Sequence, residues 1–429
     1  MRISTLQAFN NGVTGIQRNY ANATRTQEQI STGNRILTPA DDPVASVRLL
    51  QLEQQQNVLG QYNSNLTAAK NSLTQEEVTL NSVNTVLQRV RELAVQAGNG
   101  SLDPQDRKAI AAELGEREDE LLSLMNTRNA RGEYLFSGFQ GKTQPFVRGA
   151  DGSYSYNGDE GQRKLQIASS LNIPISDNGK SIFQNVINAG RLSSAVVVPA
   201  PIGSTLSVSA PLINDETAFA GSPPFPTQGI EIEFADDGSS YSIYALPKDG
   251  AARELLESDI KLDGKADRSD AMVFRGMTLQ FDGSSTGGER VVVAGGISQV
   301  GGVVTTAPVE KNKQGILDTI ASLRKSLESS TAGNTGVRDA VAVALTNLDH
   351  GMVSVDQARG NIGARLNVIE TTQTDNEDVA LVNKGVQAEL RELDYAEALS
   401  RLSMQTVVLE AAQQSYVKIA GLSLFNVMR

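Results

Sequence analysis

The sequence predicts an α+β fold, in which both termini form a long coiled-coil or helical bundle and a β-rich outer domain is inserted between them. Apolar residues recur at helical spacing through both ends of the chain. By contrast, residues 141–310 hold 21 of the 38 glycines and 10 of the 13 prolines, a density that helices do not tolerate. Aromatic residues make up only 5% of the chain, so any core is aliphatic and suits elongated packing.

Both termini carry heptad stripes, meaning rows of mostly apolar positions that alternate steps of three and four residues. The N-terminal stripe contains Leu6, Phe9, Val13, Ile16, Tyr20, Ala23, Gln27 and Ile30. The C-terminal stripe contains Leu399, Leu402, Thr406, Leu409, Gln413, Tyr416 and Ala420. We expect two helices that need helical partners, and we expect them to be mobile in the monomer because such narrow stripes bury little apolar surface.

Two further stripes predict a helical shell behind the terminal helices. One contains Leu59, Tyr62, Leu66, Ala69, Leu73, Glu76, Leu80, Val83, Leu87, Val90, Ala94 and Ala97. The other contains Leu345, Leu348, Met352, Val355, Arg359, Ile362, Leu366 and Ile369. Within the first of these, Glu76 is the one residue out of character.

The stretch ISTGNRILTPADDP, residues 30–43, separates the first two predicted helices. Gly33 can adopt the left-handed conformation that closes a helix. Asp42 offers a side-chain acceptor to free backbone amides, and Pro43 suits the first position of a new helix. Asp103-Pro104 repeats this arrangement, so another helix should begin there.

Short alternating runs between turn residues indicate strands in the middle of the chain. The run 230–234 is followed by Asp237-Gly238 and a second run, 241–245, which predicts a β-hairpin. The patterns together divide the chain into five segments. These are an N-terminal assembly helix and turn (1–42), the first part of a helical shell (43–140), a β-rich variable outer domain (141–310), the second part of the shell (311–384) and a C-terminal assembly helix (385–429).

Composition and charge exclude several kinds of partner and site. The 429 residues include no cysteine, which removes disulfides and thiolate metal sites, and the net charge of −11 has the wrong sign for gripping a nucleic acid. The N-terminus lacks the apolar stretch of a cleavable signal peptide, and no run of about 18 apolar residues could span a membrane. We therefore expect no membrane span and no conventional secretory signal.

Signatures of catalysis are weak throughout the chain. The single histidine, His350, lies off the nearby helical stripe, and no serine is set in a nucleophile elbow. Residues 141–143 read GKT, but Phe136 stands where the first glycine of a phosphate-binding loop belongs. We predict no enzyme, no catalytic residue, no metal site and no cofactor.

At four places the sequence resembles the family of bacterial flagellins and flagellar hook-associated proteins. ISTGNRILTPADDP is similar to the N-terminal turn of that family, and LQRVRELAVQAGNGS, residues 87–101, is similar to its signature helix. NARGEYLFSGFQGKTQPF, residues 129–146, and residues 393–429 resemble the hook-filament junction members more than filament flagellin. The middle of the chain shows no pattern of the family.

The resemblance implies a structural role in the bacterial flagellum. Members of the family pair their two termini as coiled coils in a tubular assembly and project the insert outward. A junction member would join the hook to the filament by binding hook-associated protein 1, flagellin and further copies of itself. The resemblance also implies export of unfolded subunits through the flagellar export apparatus, with a chaperone on the C-terminal helix, and hence an extracellular location without a cleavable signal.

We expect the terminal stripes to make the contacts between subunits. The residues that carry this expectation are Leu6, Phe9, Val13, Ile16, Leu402, Leu409, Tyr416 and Leu424. In flagellin the signature helix is recognised by Toll-like receptor 5, and its contact positions correspond here to Arg89, Leu93 and Glu113. The resemblance thus adds receptor recognition of the free monomer as a second hypothesis.

Two other interpretations stay open on the sequence. One is filament flagellin itself, which LQRVRELAVQ favours and which YLFSG and LSLFNVMR do not. The other is a signalling coiled coil of the chemoreceptor kind, which would need membrane spans that the sequence lacks.

Overall fold

The structure, a computed structural model, describes residues 2–247, 252–262, 269–300, 303–310, 312–329 and 334–427. The side chains of residues 2–6, 8, 334 and 419–427 lie outside this description. Long helices occupy both ends of the chain and strands occupy its middle. The predicted α+β fold class is therefore confirmed.

The helices are α1 Arg2–Thr32, α2 Pro43–Ala97, α3 Pro104–Met125, α4 Glu216–Phe219, α5 Ile316–Glu328, α6 Asn334–Arg391 and α7 Tyr395–Val427, with a π-helical segment at Lys180–Gln184. Two of them, α2 and α3, begin at the prolines where the sequence predicts a helix to begin. Asp42 Oδ1 accepts from the Ala45 amide at 2.9 Å, and Asp103 Oδ1 accepts from the Asp106 amide at 2.8 Å. Each carboxylate satisfies a free amide donor at a helix start, which confirms both predicted caps.

The strands form small antiparallel sheets. They are β1 Phe146–Arg148, β2 Tyr154–Tyr156, β3 Lys164–Gln166, β4 Asn172–Pro174, β5 Ser193–Val196, β6 Ser207–Val208, β7 Leu212–Ile213, β8 Ile230–Phe234, β9 Ser240–Ala245, β10 Glu254–Lys261, β11 Asp270–Phe274, β12 Met277–Asp282, β13 Arg290–Ala294, β14 Gly296–Val300 and β15 Val303–Ala307. The larger sheets have the orders β10-β9-β8-β13-β5 and β11-β12-β6, with β7 also on β12. The predicted hairpin is β8–β9, in which Ile232 pairs with Ile243 and Gly238 has a φ of 69°.

The two larger sheets share one hydrophobic core. Ile230, Ile232 and Val291 come from the five-stranded sheet, and Leu279 comes from the four-stranded sheet. Phe234 and Phe281 join the two sheets through rings whose centroids are 5.3 Å apart at 82°. The alternation of apolar and polar residues along these strands is what turns one face of each sheet inward.

The chain separates into two compact units. Unit 1 contains residues 1–67, 166–171 and 369–429, and unit 2 contains residues 68–165 and 172–368. Both α2 and α6 contribute one part to each unit. The division into five segments drawn from the sequence cuts the chain at other places, and it stays a prediction.

The stripe predicted along α2 is confirmed. Ten of its positions are at most 1% exposed, and Glu76 is one of them. The other nine are Leu66, Ala69, Leu73, Leu80, Val83, Leu87, Val90, Ala94 and Ala97. On α6 the positions Leu348, Val355, Ile362 and Ile369, spaced by seven residues, are buried in the same way. The heptad pattern therefore locates the inward faces of both shell helices.

Candidate assembly surface

The two terminal helices, α1 and α7, pack against each other in unit 1. The rings of Phe9 and Tyr416 lie 5.2 Å apart at 46°. Gly12 lies under the Tyr416 ring, where an added Cβ would come within 3.2 Å of Cδ2. A small residue at this position therefore lets the aromatic ring reach the backbone of α1.

Most of the predicted contact residues lie on the facing sides of this pair. Val13 and Ile16 on α1 are half-buried, as are Leu402, Leu409 and Tyr416 on α7. Phe9 remains 46% exposed despite its contact with Tyr416. Leu6 and Leu424 belong to α1 and α7, but their side chains lie outside the described residues.

Along α7, every second member of the predicted stripe faces water, among the members whose side chains the structure describes. The prediction is wrong at those members. Leu399 is 56% exposed, and Thr406 and Gln413 are exposed as well. Ala398 is fully buried in place of Leu399, and Gln405 and Ala412 are half-buried. Because α7 carries apolar residues around its whole circumference, its sequence is compatible with two stripes one residue apart, and the partner helix decides between them.

The N-terminal stripe needs a similar correction. Tyr20 is 63% exposed and Gln27 is exposed, although both belong to the predicted stripe. Thr26 is 3% exposed and takes the inward position instead, with its hydroxyl donating to the Asn22 carbonyl at 3.1 Å. A hydroxyl that donates to a carbonyl of its own helix can be buried without a partner on another helix. A prediction from hydrophobicity alone therefore placed the inward face of α1 wrongly at this turn.

The turn 33–42 does more than connect α1 to α2, because it pairs with the chain just before α7. The Arg35 amide donates to the Arg391 carbonyl at 2.8 Å, and the Leu393 amide donates to the Gly33 carbonyl at 3.0 Å. Asp41 accepts from the amides of residues 37 and 38 and forms an ion pair with Arg25. Nothing in the local sequence signals the long-range pairing, so sequence reasoning missed it.

Unit 1 leaves most of its apolar side chains in contact with water. Among the described side chains, 16 of the 28 large hydrophobic residues that are exposed belong to unit 1. The same unit supplies only 8 of the 63 buried hydrophobic residues. An exposed apolar excess of this kind marks a surface that binds another protein.

The exposed apolar residues of unit 1 form short rows along the helices. On α7, Met404 is 69% exposed, Val407 is 61% and Val408 is 47%, on the side that faces away from Leu402 and Leu409. On the first turns of α2, a second row contains Val44, Val47 and Leu50. These rows add to the predicted contact residues, and the sequence-based stripes did not include them.

The three positions assigned to receptor recognition have different surroundings. Arg89 donates to Glu113 Oε1 from Nε at 2.9 Å and from Nη2 at 2.8 Å, and this pair is exposed. The Glu113 and Glu92 carboxylates raise the pKa of Arg89 above its ordinary value. Leu93 is 1% exposed, so its side chain serves the interior of the shell in this chain. Receptor recognition stays a prediction, supported by two surface positions.

The candidate catalytic features have structural roles. His350 Nδ1 lies 3.1 Å from the Ile187 carbonyl, which joins α6 to the segment before β5. The GKT stretch is a turn in which the Gly141 amide donates to the Phe139 carbonyl and the Thr143 amide to the Gln140 carbonyl. Within the described part of the chain, no group of three His, Asp or Glu side chains is placed to hold a metal ion, and no helix is long and apolar enough to cross a membrane.

The sequence and the fold have counterparts in known proteins. Residues 3–141 match the bacterial flagellin N-terminal helical region. A flagellar hook-associated protein 3 of Salmonella typhimurium is 32% identical over 235 residues, which is 55% of this chain and 71% of that protein. The crystal structure of a flagellar hook-associated protein-3 of Legionella pneumophila has a TM-score of 0.61 at 25% identity and covers 79% of this chain and 98% of that chain.

A second Legionella pneumophila structure, described as the flagellar junction protein FlgL, has a TM-score of 0.58 at 25% identity and covers 80% of this chain and all of that one. These likenesses define the class of protein, a flagellin-type structural component of the bacterial flagellum. Within that class, the chain belongs to the family of flagellar hook-associated protein 3.

Proposed function

We propose that this chain is the structural adaptor that joins the hook of a bacterial flagellum to its filament. The name of the Legionella junction protein and the membership of the hook-associated protein 3 family support this proposal. The adaptor acts through self-assembly of its terminal coiled coils, and its function requires no chemistry. Filament flagellin, the alternative, is supported by other relatives, such as a flagellin of Clostridium tyrobutyricum that is 24% identical.

The observation that carries the proposal is the unburied apolar surface of unit 1. Rows of exposed apolar side chains on α2 and α7 lie on different helices of the same unit. When a patch on one copy meets a different patch on the next, the contact is heterologous and generates rings or helical arrays. We infer that these rows, together with Phe9, Val13, Leu402 and Leu409, form the contacts between subunits in such an array.

The partners follow from this position in the flagellum. We propose that one end of the array binds hook-associated protein 1 and the other end binds flagellin. A chaperone that covers α7 before export would shield its exposed row, where Met404 and Val407 are more than half exposed. The working location is then extracellular, in the flagellum at the hook-filament junction, reached through the flagellar export apparatus.

Deletion of the gene in its native bacterium, followed by electron microscopy and measurement of secreted flagellin, tests the proposed function. We expect hooks without filaments and flagellin lost to the medium, with filaments restored by the intact gene. If hooks and export remain normal and only the filament protein disappears, the chain is flagellin and the junction role is wrong.

A further inference from the structure

Met404 is the most accessible methionine among those whose side chains the structure describes. Its side chain is 69% exposed on α7. The other four described methionines are less accessible. They are Met125 and Met277 at 0%, Met272 at 2% and the half-buried Met352. Burial therefore protects the other described thioether sulfur atoms and leaves that of Met404 open to water.

The composition of the chain gives this sulfur atom its weight. The chain contains no cysteine and no tryptophan, so its seven methionines are its only sulfur-containing residues. A peroxide converts a thioether to a sulfoxide, and the reaction requires access of the oxidant to the sulfur atom. In the part of the chain that the structure describes, Met404 is therefore the residue that a peroxide should oxidise first.

The neighbours of Met404 on α7 leave its side chain open. One turn earlier, the Arg401 guanidinium is held on its own helix, because Nη2 donates to Glu397 Oε1 at 2.6 Å. One turn later, Val407 is 61% exposed and Val408 is 47% exposed. Residues three or four positions apart are neighbours on a helix surface. Met404, Val407 and Val408 therefore form one apolar surface, the outer row of α7.

Oxidation would change the chemistry of this row. A methionine side chain is flexible and apolar, whereas its sulfoxide is polar and has an oxygen that accepts hydrogen bonds. In the free monomer water solvates that oxygen, so the fold should be unaffected. In a contact with another copy the oxygen would lose its water, and the valines beside it have no side-chain donor to replace that water. Burial of an unpaired polar group opposes such a contact.

We propose that Met404 is an oxidation site through which a peroxide controls incorporation of this chain into the flagellum. The peroxide O–O bond breaks, one oxygen atom is transferred to sulfur, sulfur loses two electrons and hydrogen peroxide is reduced to water. Oxidised copies are excluded from assembly, and assembled copies are shielded by their neighbours. This inference rests on the proposed function, because it requires the outer row to contact another copy.

A time course with hydrogen peroxide on the purified full chain locates the site without reference to any function. Peptides are mapped by mass spectrometry. Sulfoxide should form at Met404 at least about 10-fold faster than at Met125, Met272 and Met277, because buried sulfur reacts only when the fold opens. Thermal unfolding of the oxidised monomer should match that of the untreated one. Equal rates at all four methionines would overturn the assignment of the site.

Incorporation is measured by adding tagged, purified chain to bacteria that lack the gene and quantifying the tag on their isolated hooks. Peroxide should lower incorporation of the natural chain at least about 10-fold, and Met404→Gln should lower it similarly without peroxide. Met404→Leu keeps an apolar side chain of similar volume without sulfur, so it should incorporate normally before and after treatment.

Two controls give the result its specificity. Met352→Leu makes the same chemical change at the half-buried methionine of α6, so this variant should remain sensitive to peroxide. Methionine sulfoxide reductases with a dithiol return the sulfoxide to the thioether, and the dithiol is oxidised to a disulfide as the oxygen leaves in water. This treatment should restore incorporation of the oxidised natural chain.

The outcomes separate this site from the proposed function. If the untreated chain does not bind the hooks, the adaptor role fails and the control of incorporation fails with it, while the peptide map still decides the site. If peroxide blocks Met404→Leu as strongly as the natural chain, the inference is wrong and another methionine is responsible. Complete sulfoxide formation at Met404 with undiminished incorporation would also overturn the control and leave the adaptor role in place.

Discussion

Glu76 shows how far one residue can depart from the pattern around it. Its carboxylate is 1% exposed in the apolar stripe of α2, and Oε1 accepts from the Asp177 amide at 3.2 Å. Burial is the main cause that raises the pKa of Glu76 to about 8, and the charge of Asp177 adds to it while Arg365 opposes it. Arg365 is already committed to Asp177 through two bonds of 2.9 and 3.0 Å. Glu76 is therefore protonated at neutral pH.

This protonation makes the stability of the protein dependent on pH. Between pH 4.5 and 8 the folded chain keeps a proton that the unfolded chain has released, so the free energy of unfolding falls as pH rises, by up to about 1.4 kcal/mol per pH unit. Glu76→Gln keeps the acceptor for the Asp177 amide and removes the ionisation. We expect the variant to gain stability over the natural chain as pH rises through this window, measured by urea unfolding at pH 5.5, 7 and 8.5.

Glu77→Gln is the matched control, because it makes the same chemical change one position away on a half-exposed site. Equal stability differences for Glu76→Gln at all three pH values would show that Glu76 titrates normally. The sequence pattern identified Glu76 as out of character in its stripe, but it could not supply a reason. Its partners Asp177 and Arg365 are distant in sequence, and folding alone brings them together.

At the scale of single elements, the helix starts and the stripe of α2 were predictable, whereas the inward face of α7 was not. A helix cap needs only a side chain and an amide three residues further on, as at Asp42 and Asp103. The local sequence is therefore sufficient to predict the cap. The α2 stripe has one apolar face, so its orientation is also a local property. On α7, apolar residues lie both on the inner side, at Leu409, and on the outer side, at Val407, and only contact with α1 distinguishes them.

The two faces of α7 should therefore respond differently to a charge. Val407→Asp changes a side chain that is 61% exposed, so the monomer should keep its stability within about 0.5 kcal/mol while its incorporation into flagella is lost. Leu409→Asp places a charge on the half-buried side that faces α1, so we expect loss of incorporation together with destabilisation of unit 1 on the order of 2 kcal/mol. Thermal unfolding of the monomers and motility of complemented cells provide the two measurements.

Gln413→Asp controls for added charge, because it alters a polar, exposed position on the same helix. Unit 2 should remain folded in all three variants, since its core contains no residue of α7. Normal flagella with Val407→Asp would remove the outer row of α7 from the assembly surface.

For the molecule as a whole, the two units differ in how much of their apolar surface is buried. In unit 2, α2 buries an apolar stripe that only Glu76 interrupts, and the two larger sheets share a core. In unit 1, α2 and α6 bury amide side chains, and four of their amide atoms have no hydrogen-bond partner in the chain. These are Gln56 Oε1, Asn63 Oδ1, Asn383 Nδ2 and Gln387 Nε2. Unit 2 contains buried unpartnered atoms as well, such as Asn84 Oδ1 and Arg359 Nε, so the smaller apolar burial of unit 1 is what makes it the less stable part by itself.

The sequence predicted this contrast only in part. Narrow stripes at the termini suggested helices that are marginal in isolation, and the structure pairs them within one chain as α1 and α7. The buried amides of α2 and α6 went unnoticed, because a glutamine or asparagine inside a helix pattern is ordinarily solvated. The free energy needed to separate α1 from α7 decides how far this pair stays closed in the free monomer. The exposed apolar side chains and unpartnered polar atoms of unit 1 make that free energy small.

Amide hydrogen exchange on a verified monomer measures that opening free energy directly. We expect residues 12–30 and 395–417 to exchange at least about 100-fold faster than residues 69–97, because the former segments open without exposing a large apolar core. Assembly should then slow exchange in the terminal segments, since contacts with neighbouring copies cover their apolar rows. Protection of residues 12–30 equal to that of 69–97 in the monomer would mean that the α1–α7 pair is stable alone. Assembly would in that case add rigid subunits to one another rather than complete their folding.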